Sequence, residues 1–66
     1  MYVIYVRIGN VKKYALISKD GESCAVESPS CATHFPAKAF AKAVCAALKV
    51  PVKRSYPEAD IGYECV

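Results

Sequence analysis

The stretch YVIYVRIGNVKKYALIS, residues 2–18, decides the fold. Apolar and polar residues alternate over Tyr2–Ile8 and again over Val11–Ser18, the period of two strands. Between them stands Gly9-Asn10, a two-residue loop. Glycine at the first central position suits a type II′ turn, whose twist matches a hairpin. The register follows. Ile8 faces Val11, Val6 faces Lys13, Ile4 faces Ala15 and Tyr2 faces Ile17, all on one side of the ribbon. The other side pairs Arg7 with Lys12, Tyr5 with Tyr14 and Val3 with Leu16. Both faces carry apolar or aromatic side chains, so each asks for something to touch.

Reading outward, Lys19-Asp20-Gly21-Glu22 is a turn signal. Ser23–Glu27 reads as a short third strand, broken by Ser28-Pro29-Ser30. Pro36 opens a helical pattern, as proline often does in a first turn. The run PAKAFAKAVCAALKV, residues 36–50, is rich in alanine, the best helix former. Ala37, Phe40, Ala41, Val44, Ala47 and Leu48 share one stripe at helical spacing, and Lys38, Lys42, Cys45 and Lys49 take the other side. Val50-Pro51 is expected to end the helix. Val52–Tyr56 and Ile61–Val66 are expected as short strands around a Pro-Glu-Ala-Asp turn. Phe40, Val44 and Leu48 are the large anchors, matched to the Ile4, Val6, Ile8, Ala15 and Ile17 face. The expectation is a single small α+β domain spanning residues 1–66. It has an antiparallel sheet, the hairpin plus short strands, packed by one helix in ββ(β)αβ order. One helix leaves the Tyr5/Tyr14 face uncovered.

Sixty-six residues make one domain at most. A chain of this size buries only about 60% of the surface it exposes unfolded, which leaves room for one small core. A further enclosed pocket of a few hundred Å³ is hard to fit beside it, which argues against a stand-alone enzyme. An apolar share of 55% argues against disorder. The net charge of +3 is far below that of a dedicated nucleic-acid binder. Its signs are segregated, with Arg7, Lys12, Lys13 and Lys19 first, then Asp20, Glu22 and Glu27. Lys38, Lys42, Lys49, Lys53 and Arg54 come next, then Glu58, Asp60 and Glu64. Such blocks can pair once folded. No apolar run nears the eighteen or so residues of a membrane span. The apolar start lacks a basic lead and is interrupted by Arg7. A cytoplasmic protein with no membrane partner is expected, its four cysteines reduced.

Catalytic and metal chemistries find little support. Cys24, Cys31 and His34 form C-x6-C-x2-H, with Cys45 and Cys65 further on. No C-x2–4-C knuckle of a structural zinc site is present. Cysteines acting as small hydrophobes, with no metal and no cofactor, are expected. Cys45, placed among Lys38, Lys42 and Lys49, is expected to have a somewhat lowered pKa. It has no oriented base and no oxyanion hole. Glu58, Asp60 and Glu64 read as a solvated acidic edge, and no glycine-rich phosphate loop exists.

The hairpin ending KYALIS, the DG turn, and ATHF leading into one alanine-rich helix give a pattern over about the first fifty residues. In size and pattern the chain resembles small accessory proteins of phages, prophages and other mobile elements. Many of those bind and inhibit host defence complexes, as anti-CRISPR and anti-restriction proteins do. The resemblance implies a non-enzymatic binder of a host protein or protein complex, acting by steric or electrostatic blocking. The expected contact surface is the uncovered face, Val3, Tyr5, Arg7, Lys12, Tyr14 and Leu16, because tyrosine and arginine dominate interface hot spots. The basic helix face of Lys38, Lys42 and Lys49 is a secondary candidate. The alternative is single-stranded nucleic acid on the same aromatic and basic face. A homodimer that buries this face is a third reading.

Overall fold

The computed structural model describes residues 1–66. Strands β1 (Tyr2–Ile8), β2 (Val11–Ile17) and β3 (Ser23–Val26) are followed by a 3₁₀ turn (Pro29–Cys31), helix α1 (Lys38–Ser55) and strand β4 (Asp60–Cys65). The four strands form one antiparallel sheet in the order β3-β2-β1-β4. The α+β class, the hairpin and the single helix are as the sequence implies.

Gly9 has φ +61° and Asn10 does not share the positive φ, which fits a type II′ turn and excludes type I′. The hairpin register holds for four pairs, Ile8–Val11, Arg7–Lys12, Val6–Lys13 and Tyr5–Tyr14. There the ladder stops. The expected Ile4–Ala15, Val3–Leu16 and Tyr2–Ile17 pairs do not form, because residues 33–35 are wedged between the strand ends. Tyr2 and Phe35 exchange two backbone hydrogen bonds of 2.8 Å each. The Thr33 N–H donates to the Ala15 carbonyl at 3.1 Å. The Ile17 N–H donates to Thr33 Oγ1 at 2.7 Å, and that hydroxyl donates back to the Ile17 carbonyl at 3.4 Å. The splayed strand ends thus find partners in the wedge, as backbone groups out of water must.

Further boundaries differ from expectation: α1 begins at Lys38 rather than at Pro36, β2 ends at Ile17, and β4 runs from Asp60 to Cys65 instead of from Ile61 to Val66. The helix does not end at Val50-Pro51 but runs through Pro51 to Ser55. Val52–Tyr56, expected as a strand, is therefore its last turn. Proline removes one helical hydrogen bond. The Val52 carbonyl still accepts from the Tyr56 N–H at 2.7 Å, so the turn closes. The third strand stops at Val26, one residue short.

The helix presents a stripe rotated from the expected one. Ala41 and Cys45 are buried, with Val44, Leu48 and Val52 packed beside them. Phe40 is 58% exposed. Small side chains at the line of closest approach let the helix lie tightly on the sheet. Phe40, too bulky for that line, instead sits at the helix start with its ring 5.5 Å from that of Phe35. Phe35 is buried and takes the place in the core that the sequence reading gave to Phe40, alongside Ile4, Ala15 and Ile61.

Candidate functional site

The helix is packed across β1 and β4. A four-stranded sheet is about 19 Å wide and a helix only about 10 Å, so one helix covers half of it. The uncovered half is the β2/β3 side of the core face itself. It forms an open groove of about 560 Å³ between that side of the sheet and the last two turns of α1. Its floor carries Val6, Ile8, Val11, Ala15 and Ala25, and its wall carries Leu48, Pro51, Val52 and Tyr56. Lys13 is the only charged residue along it, and no carboxylate or imidazole lines it. Val11 and Tyr56 at its rim are 56% and 51% exposed.

The opposite face, expected as the uncovered one, is largely closed by its own side chains. Lys12 Nζ reaches across β1 to Glu64 Oε1 on β4 at 2.8 Å. On the way it lies 4.7 Å from the Tyr5 ring centre and 5.6 Å from that of Tyr14. Hydrogen bonding to the Glu64 carboxylate holds the Lys12 ammonium above its ordinary pKa, against partial desolvation. Of the segregated charge blocks, this is the one ion pair that closes. The Tyr5 ring lies over Gly62, in the space that a Cβ at residue 62 would occupy. Val3 is wholly buried, so it cannot be a contact residue. Tyr5 and Tyr14 are half-buried, and only Arg7 and Leu16 of the six expected residues are exposed. On this face the Lys12 charge is compensated by Glu64, and Arg7 stands exposed without an ion pair at the hairpin tip.

Lys38, Lys42 and Lys49 are exposed on the outer helix surface. Cys45 is not among them. It points into the core, and burial raises its thiol pKa despite the pull of Lys49, the reverse of the expected lowering. Cys24, Cys31 and Cys65 are exposed, and all four thiols are free. No three of the histidine, cysteine, aspartate and glutamate side chains converge as a metal site would require. A thiol count checks the placement of Cys45. At pH 8 a disulfide reagent should consume three thiols at once and the fourth only on unfolding. A raised folded pKa stabilises the protein below the ordinary value of 9.0, and that contribution is lost as pH climbs through the folded value. Release of the fourth thiol should therefore speed up above pH 9. Four equal rates would place Cys45 outside the core.

The groove escaped the sequence reading, which looked for an uncovered second face and overlooked an uncovered half of the first. The signal was present in the count of strands, since four strands share one helix. No helix is long and apolar enough to cross a membrane. No protein-family model, no curated protein and no solved structure matches this chain. The geometry of the two faces is what bears on function.

Proposed function

We propose that this chain is a non-catalytic binding module that receives a segment of a partner protein in the groove between α1 and the β2/β3 half of the sheet. The observation that carries this reading is the groove itself, an open apolar surface with exposed Val11 and Tyr56 at its rim. Contiguous apolar surface of this kind on a small domain usually marks an interaction site. A mostly apolar lining with no carboxylate or imidazole beside its single lysine favours binding over catalysis. The partner is a larger host protein or complex whose surface the module occludes, as the mobile-element accessory proteins that it resembles do. Four free thiols suit action in the reducing cytoplasm.

Two paired variants test the reading. Val11→Glu with Tyr56→Ala alters only exposed groove positions. Tyr5→Ala with Arg7→Glu alters the opposite face, on which single-stranded nucleic acid would also bind. Proteins captured from a host lysate and then purified should lose at least about 2 kcal/mol of affinity, the hot-spot threshold, on the first pair and little on the second. The reverse order would move the site to the tyrosine face. Sub-micromolar binding of an oligonucleotide at physiological salt would replace the protein partner with nucleic acid.

A further inference from the structure

The groove is open at the side where the sheet ends, and that side is a free strand edge. The turn register shows which groups of β3 face outward. A two-residue hairpin makes Ile8–Val11 a mutually bonded pair, so alternate residues of β2 turn their backbone groups toward β1. The bonds of Ala15 and Ile17 to Thr33 on that side agree. Tyr14 and Leu16 therefore bond to Val26 and Cys24 on β3. The N–H and C=O groups of Ser23 and Ala25 are left pointing away from the sheet. Shortness and the flanking Glu22 and Glu27 are this edge's only protections. It holds no proline and no lysine, and Ser23, Cys24 and Ala25 are exposed. Ser23 and Ala25 also line the groove, and their small side chains leave its floor open up to the edge.

The segment that carries this edge is acidic, and Lys13 on β2 is the one base beside it. From Asp20 to Ala37 the chain carries Asp20, Glu22 and Glu27 and no lysine or arginine. All three acids are exposed. A second copy is a poor occupant for that reason. Antiparallel pairing of two β3 edges about Ala25 would set Glu27 of each chain within one register position of Glu22 of the other, at both ends, with only Lys13, one position beyond the Tyr14–Val26 pair on β2, to offset them. Like charges so placed are destabilising.

We infer that the occupant of the groove is an extended segment of a partner protein that adds to the β3 edge as a fifth strand. The inference rests on the groove reading above and deepens it. Backbone hydrogen bonds to Ser23 and Ala25 hold the segment, as in other strand-addition complexes. Every second side chain of the segment is apolar and enters the groove against Leu48 and Val52. Its flanking residues are lysine or arginine, facing Glu22 and Glu27.

The probe is a displayed library of random nonapeptides, selected on the whole chain. Enriched peptides should carry apolar residues at alternate positions with basic ends. Ala25→Pro removes an outward N–H that the β2–β3 ladder does not use, a change that edge strands tolerate. It should leave the circular dichroism unchanged and weaken the selected peptides at least tenfold. Glu22→Lys with Glu27→Lys leaves the backbone intact and should also weaken them at least tenfold, which decides the matter if the proline variant fails to fold. Selected peptides with helical spacing, or indifferent to both variants, would overturn strand addition. If such peptides are still lost on Val11→Glu, the groove reading stands without it. An unenriched library, or binders indifferent to Val11→Glu as well, would overturn both readings. A dimer in sedimentation that Ala25→Pro dissociates would assign the edge to a second copy.

Discussion

Phe35→Ala should leave the protein largely unfolded at room temperature, whereas Phe40→Ala should still melt cooperatively. Emptying a buried aromatic site costs about 3–5 kcal/mol. At about 0.05–0.15 kcal/mol per residue, the whole stability of 66 residues is on the order of 3–10 kcal/mol. Phe35 is 6% exposed and belongs to the central cluster. Phe40 is more than half exposed, and its ring lies 5.5 Å from that of Phe35. Losing one aromatic pair and some partly buried area should cost about 1 kcal/mol. Far-ultraviolet circular dichroism against temperature separates the two variants. Equal losses would show that the helix turns its Phe40 stripe to the core after all.

The contrast between these phenylalanines marks where the sequence was legible. The hairpin was readable because its alternation and its Gly9-Asn10 turn agree, and two local signals that agree leave one register. The helix was readable as a helix, but not in its rotation. Its stripe is mostly alanine, so hydrophobicity alone barely distinguishes one face from the next. The decision fell to steric fit, with Ala41 and Cys45 on the near line and Phe40 off it. Pro51 and the β-branched residues around it suggested a break and a strand. Packing of Val52 against the core outweighed that local preference. The wedge at Thr33–Phe35 was not readable at all, since nothing local to a Thr-His-Phe run specifies a long-range bridge to Tyr2. For the site, Arg7 and Lys12, and Tyr5 and Tyr14, pair as the hairpin register implies, yet register does not determine exposure. Lys12 closes that face through Glu64, and this pairing crosses strands far apart in sequence. The groove depended on the position of the helix across the sheet, which is a tertiary property.

Ile4→Ala and Val3→Ala should both destabilise, although the two side chains point to opposite faces of β1. In a sheet with one bare face, only the core-facing residue would be sensitive. Ile4 is fully buried in the cluster beneath the helix, and its truncation should cost about 2–5 kcal/mol. Val3 is also fully buried, but it lies outside that cluster. It sits at the splayed base of the hairpin, where Ala32, just before the wedge, is buried too. Removing two methyl groups there should cost about 1.5–3 kcal/mol, against a change within about 0.5 kcal/mol for an exposed valine. Urea midpoints at unchanged slope measure both losses. A near-neutral Val3→Ala would mean that the base of the second face is open in solution. The expected tyrosine-face interface would then regain Val3 as a contact residue.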